Sequence, residues 1–118
     1  MKTIRFYETS SGKKPVQEFL ENLTDKQLEK VTWVLKLIRE LDRVPTNYFK
    51  KLVNTDNIWE VRASVGGNSF RLLGFFCGQH LIVLTNSFQK KSQKTPSQGI
   101  QLAEKRKKEY IERRKTNG

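Results

Sequence analysis

The spacing of apolar residues changes period partway along this chain, and that change limits the folds open to it. Leu28, Val31, Leu35 and Ile38 recur at helical spacing, with Val34 and Leu41 widening the stripe. Beyond Pro45, which should end that helix, the period falls to two. Trp59, Val61 and Ala63 alternate with Glu60, Arg62 and Ser64, and Gly66-Gly67-Asn68 supplies a turn. Residues 69–77 and 81–88 read as two further strands separated by Gly78-Gln79-His80. Three consecutive strands joined by short turns make an antiparallel meander.

The flanks complete the pattern. Residues 2–8 read as a short strand, Ile4 and Phe6 alternating with Thr3, Arg5 and Tyr7, until Ser10-Ser11-Gly12 breaks it. Pro15 suits a first helical turn, and Val16, Phe19, Leu20 and Leu23 follow at helical spacing. Thr24 and Gln27 form a capping box that opens the second helix. Trp33 and Leu37 lie off its stripe and are expected to flank the core. Thr95-Pro96-Ser97-Gln98 joins a second capping-box pattern to a proline at the first helical position. Ile100, Leu102 and Ala103 can dock this helix, but beyond Glu104 only Tyr110 and Ile111 are apolar among Lys105, Arg106, Lys107, Lys108, Arg113, Arg114 and Lys115, so this end is expected to protrude as a basic helix and fray. The expectation is a single α+β domain spanning residues 1–118: an N-terminal strand, two helices, a three-strand meander with the helices on one face, and a basic C-terminal helix.

Charge narrows the possible partners. The 118 residues carry 23 Lys+Arg against 12 Asp+Glu, a formal net charge of +11 that attracts polyanions. No Asp or Glu occurs between Glu60 and Glu104, a window that holds Arg62, Arg71, Lys90, Lys91 and Lys94. Ordinary protein surfaces intersperse the two signs, so this stretch reads as a polyanion-binding surface. Cys77, the only cysteine, lies in an apolar run and reads as a small buried hydrophobe. No apolar run approaches the roughly 20 residues of a membrane span. The first residues, Met1-Lys2-Thr3-Ile4-Arg5, lack the apolar centre of a signal peptide. A cytoplasmic protein with no membrane partner is expected.

Much familiar chemistry is missing. His80 is the only histidine and sits at an expected hairpin turn, which suits a solvated loop residue. The sequence has no His/Cys spacing for zinc, no grouped carboxylates for a hard cation and no Gly-rich phosphate loop, so neither metal nor cofactor is expected. Cationic chemistry remains. A Lys or Arg can neutralise charge developing on a phosphate in the transition state. A lysine crowded by other cations has its pKa lowered towards neutrality. RNA carries its own nucleophile, the 2′-hydroxyl, so a basic cleft need supply only orientation, charge neutralisation and proton transfer.

Three stretches carry a family likeness. Ile58-Trp59-Glu60-Val61-Arg62, Phe70-Arg71-Leu72-Leu73 and Phe88-Gln89-Lys90-Lys91 with Lys94-Thr95-Pro96 resemble, in that order, the RelE/ParE toxin superfamily, and most closely its phage-derived, HigB-like branch. The likeness covers nearly the whole chain. It implies a toxin of a type II toxin–antitoxin pair that cuts mRNA on the ribosome, held in check by an antitoxin, often a helix-turn-helix protein. It also implies Arg71 in the active cleft, with Lys90 and Lys91 beside it as catalytic cations. Lys50, Lys51, Arg62, Phe88 and Lys94 become expected RNA contacts. Members of the superfamily place a Tyr or His near the C-terminus for proton transfer or stacking. Residues 89–100 here contain neither, which leaves the general acid and base unassigned.

Each assignment has a plainer counterpart. Arg62 and Glu60 share a strand face and could pair with each other. Lys90 and Lys91 could be ordinary loop lysines. Arg71 stands among Leu73 and Phe75, where an arginine needs a reason. Two other functions share these features: a ParE-like toxin that binds gyrase without chemistry, and an RNA- or ribosome-binding module that has lost activity.

Overall fold

Two prolines, a capping box and a pair of glycines set the local structure. In the computed structural model, which describes residues 1–90 and 95–117, Pro15 opens helix α1 (Pro15–Glu21). The Thr24 hydroxyl accepts from the Gln27 amide while the Gln27 side chain accepts from the Thr24 amide, which fixes the start of α2 (Asp25–Glu40) as the sequence implied. The helix ends before Pro45, at Leu41, whose backbone is already extended. The first strand is β1 (Thr3–Phe6), and β3 (Trp59–Val65) and β4 (Asn68–Cys77) form a hairpin. Gly66 and Gly67 both have positive φ (53° and 84°) in its two-residue turn, a conformation that matches strand twist and that side chains resist. β5 (Leu81–Lys90) follows, and the chain finishes in α3 (Ser97–Asn117). Among the described residues no helix is long and apolar enough to cross a membrane.

The sheet is larger than the expected meander. A short strand, β2 (Phe49–Lys51), pairs antiparallel with β3, so Lys50 and Lys51 lie on a strand of their own at the sheet edge. At the opposite side β1 pairs parallel with β5, Thr3 facing Leu81 and Phe6 facing Leu84. The order is β1-β5-β4-β3-β2, a five-stranded mixed sheet. Alternation missed β2 because three residues are too few for a period to show. It cannot reveal that β1 crosses two helices to find its partner.

The first two helices share one face of the sheet, as expected, and α3 covers the other. Val16 and Leu20 of α1 and Val31, Val34 and Ile38 of α2 pack on Val61, Ala63, Phe70, Leu72, Ile82 and Leu84. On the other face Ala103 of α3 is buried with Tyr7, Ile58, Leu73, Phe75 and Val83. Full burial of such side chains contributes about 1.5–3 kcal/mol each. β4 is therefore apolar on both sides. Cys77 is half-buried at the edge of the second core. Trp33 is largely exposed rather than flanking the core, its ring edge-on to Tyr48.

The C-terminal helix does not protrude. Polar side chains fasten it along its length: Arg106 donates to the Thr85 carbonyl (2.8 Å), Lys107 to the Asp56 carbonyl (2.7 Å), and Arg113 to the Glu8 carbonyl (2.6 Å). The Tyr7 hydroxyl donates to Glu109 at 2.6 Å, and the Tyr110 ring meets Phe75 edge-on. A count of apolar residues could not anticipate that, beyond Ala103, long cationic side chains reaching backbone carbonyls join Tyr110 and Ile111 in holding the helix down.

One irregularity decides which residues share a face. Leu73 faces Asn86 but Gly74 faces Leu84, so Thr85 is an extra, unpaired residue in β5. Its hydroxyl is 3.1 Å from the Leu73 carbonyl and 2.7 Å from Asn86 Oδ1. Because side chains alternate, this one residue turns Asn86, Phe88 and Lys90 to the α3 side of the sheet. Gly74 permits the close strand approach there, since a Cβ would stand 2.4 Å from the Val83 carbonyl oxygen and 3.0 Å from Leu84 Cδ2. Gly74→Ala should therefore cost about 1–3 kcal/mol, as overpacking against backbone does. Urea denaturation reads this as a lower midpoint with an unchanged slope; an unshifted midpoint would show that the strands part without cost.

Candidate functional site

Cross-strand register assembles a cationic row on the α3 side of the sheet, beyond the first turn of that helix. Arg62 of β3 lies opposite Arg71 of β4, which lies opposite Phe88 of β5. One step along, Lys50 of β2 faces Glu60, and one step the other way Ser69 faces Lys90. Residues far apart in sequence thus meet through hydrogen-bonded strands, which holds them more rigidly than loops would.

At the centre is a carboxylate that the sequence reading left out of the site. Glu60 is 2% exposed. Its Oε1 lies 3.5 Å from Arg62 Nε and 3.6 Å from Arg71 Nε, and its Oε2 accepts from the Thr95 hydroxyl at 2.6 Å. Thr95 was expected to cap α3; instead the helix begins at Ser97, with the Pro96 carbonyl accepting from Gly99. Both Nε atoms are buried and lack a hydrogen-bond partner among the described residues. One oxygen is contested by two guanidinium groups and closes on neither. Buried donors left in this state are costly, and at a functional site they mark unspent capacity.

Arg71 is itself buried, 7% exposed, with Nη1 donating to the Phe70 carbonyl at 3.2 Å. Burial lowers its pKa, Glu60 partly restores it, and Arg62 lowers it again. An arginine starts so high that it remains charged. Lys90 differs in kind. Burial pushes its ammonium below the ordinary lysine value, Arg71 pushes it further, Glu60 opposes this, and Arg62 and Lys50 add smaller repulsions. This is the crowding that tunes a lysine towards proton transfer. Four cations, Lys50, Arg62, Arg71 and Lys90, surround one carboxylate.

The other expected residues fall differently. Phe88 is half-buried, its Cε1 3.5 Å from where a Cβ on Gly99 would stand, so its ring lies beside the start of α3 as it walls the site. Lys51 alternates to the opposite face from Lys50 and does not join the cationic row; both lysines border a cleft of about 590 Å³ at this sheet edge, with Val44, Phe49, Trp59 and Phe76. Lys91 and Lys94 lie outside the described residues. His80 is exposed at the β4–β5 turn, far along β5 from Lys90. Among the described residues no three His, Cys, Asp or Glu side chains are grouped as metal ligands. The absence of acidic residues after Glu60 was the signal that could have singled out Glu60 itself: the last carboxylate before a long basic stretch has many suitors.

Residues 18–108 match the model of a family described as phage derived protein Gp49-like. The chain belongs to this family. The match runs from α1 to the middle of α3 and includes Lys50, Glu60, Arg62, Arg71, Phe88 and Lys90. The Gp49-like family lies within the RelE/HigB-like toxin superfamily, a placement consistent with a toxin of a toxin–antitoxin pair. Among curated proteins none matches the chain.

Proposed function

We propose that this Gp49-like protein is a toxin that cleaves mRNA on the ribosome, in the cytoplasm, as a HigB-like endoribonuclease. The observation that carries this reading is the contested Glu60, which leaves two rigid guanidinium groups under-neutralised beside a lysine of lowered pKa. In the reaction the substrate's 2′-oxygen attacks the adjacent phosphorus and loses its proton. The bond from phosphorus to the 5′-oxygen breaks, and that oxygen gains a proton. Arg71 and Arg62 stabilise the charge gathering on the non-bridging oxygens, and Lys90 moves a proton. Lys50 holds a flanking phosphate, Phe88 bounds the nucleotide, and Lys91 and Lys94 extend the same basic segment. An antitoxin, a helix-turn-helix protein in this reading, silences the toxin by covering the cleft.

The products identify the mechanism. The upstream fragment should end in a 2′,3′-cyclic phosphate and the downstream fragment should begin with a 5′-hydroxyl. A 2′-deoxy nucleotide at the cut position should abolish cleavage yet leave binding nearly unchanged, because phosphate contacts dominate affinity. Mapping RNA 5′ ends after expression in bacteria, with and without polynucleotide kinase treatment, reads both points. Downstream ends already bearing phosphate would replace this mechanism with an activated water. Uncut mRNA with gyrase-linked DNA breaks would favour the ParE-like alternative.

A further inference from the structure

A second group of cations lies far from the cleavage site. An open cleft of about 440 Å³ separates β1 from the last turns of α3, and Arg5, Lys14, Arg113 and Arg114 line it with the Tyr110 ring and a single carboxylate, Glu8. Arg113 is committed to the fold: it donates to the Glu8 carbonyl and the Tyr7 hydroxyl and stands 3.9 Å from Glu109. Arg5 and Arg114 are positioned without being neutralised. Arg5 Nη1 donates to the Tyr110 hydroxyl at 2.8 Å, and the Arg114 guanidinium stands 5.9 Å from the centre of the same ring. Among the described residues no carboxylate lies within 4.0 Å of Arg5, Lys14 or Arg114. An aromatic side chain thus gathers like charges that repel one another, an arrangement that favours an anion with several separated charges.

We propose that this cleft is a second binding site, for the phosphodiester backbone of structured RNA, which anchors the protein while the distant cationic row cleaves. Guanidinium forks match phosphate oxygens in pairs, and side chains already held by Tyr110 lose little freedom on binding. Arg5 faces Val83 on β5 while Lys90 ends that strand, so the two sites are separated by roughly 20 Å of extended chain. One short strand of RNA in the cleavage site does not need cations so far away; a folded RNA that docks on a broad face does. The choice of RNA over other polyanions rests on the cleavage reading above.

The test uses the full chain and a hairpin RNA that is 2′-O-methylated throughout, so that binding is read without cleavage. The triple variant Arg5→Gln, Lys14→Gln, Arg114→Gln should bind at least about tenfold more weakly at low salt, with the slope of log K against log salt shallower by roughly 2. It should also leave the chemical ends of products cut from an unmodified mRNA unchanged. The charge-keeping pair Arg5→Lys, Arg114→Lys should retain the parent's salt slope. Circular dichroism of each variant separates lost binding from lost fold, and if the triple variant unfolds, Arg114→Gln alone should lower the slope by about 1. Equal slopes in parent and folded variants would overturn the proposal. So would intact RNA affinity with lost binding of polyglutamate, which would assign the cleft to an acidic protein segment. Loss of the second site with RNA cutting absent in every variant would overturn the cleavage reading and leave this site standing.

Discussion

Arg71→Lys should cut RNA at least about 100-fold more slowly than the parent, the scale of losing one preorganised donor to transition-state charge. The substitution retains one positive charge close to Glu60, so the fold should survive it. It removes the planar fork whose Nη1 is anchored on the Phe70 carbonyl and whose Nε is turned towards Glu60. Arg71→Ala is the poorer test, because it removes a counter-charge from a buried carboxylate and lowers stability along with activity. Single-turnover cleavage measured beside thermal unfolding separates the two effects. A lysine variant that is folded and fully active would remove Arg71 from the catalytic step.

The largest effect on stability is expected at Glu60. Glu60→Ala leaves Arg62, Arg71 and Lys90 crowded without their shared anion, and leaves the Thr95 hydroxyl without its acceptor. Breaking a buried ion pair on one side costs about 3–5 kcal/mol, a large part of the total stability of a small domain. Chemical denaturation measures it, and a change below about 1 kcal/mol would mean that water already shields the three cations. Glu60→Gln keeps the shape and separates charge from packing. Since Glu60 opposes the lowering of the Lys90 pKa, the glutamine variant should lower that pKa further. The limb of the pH–rate profile that reports Lys90 should therefore move to lower pH. An unmoved limb would assign the proton transfer to another group.

How much of this was legible depended on how local each cause was. The α2 capping box, the Gly66-Gly67 hairpin and the pairing of β3, β4 and β5 follow from residues within a few positions of one another, and the sequence showed them. Arg71 was legible because its neighbours in β4 are apolar. The companions of Arg71 were only partly so. Period-two alternation run through β5 without a bulge would put Phe88 and Lys90 on the face opposite Arg71; the family likeness, not the alternation, brought them together. Thr85, the residue that reverses their direction, looks like any other strand threonine. Glu60 was noticed as a neighbour of Arg62, but its position between two arginines depends on cross-strand register. The apolar start of α3, with Ile100 and Ala103, was legible as a docking surface, but the docking of its basic part was not, since those side chains find carbonyl oxygens, which no sequence pattern marks.

The parallel pairing of β1 with β5 also sets when the site can assemble. Thr3 is made well before its partner Leu81, on the order of ten seconds earlier at typical elongation rates. Until Leu81–Lys90 emerges, β1 has no neighbour, the first core lacks Ile82 and Leu84, and Arg71 lacks Phe88 and Lys90. Contacts this distant in sequence also slow the folding search itself. The cationic row is therefore incomplete on a nascent copy, and under the proposed cleavage reading the interval before the sheet closes is one in which a partner protein can reach the chain before its site is assembled.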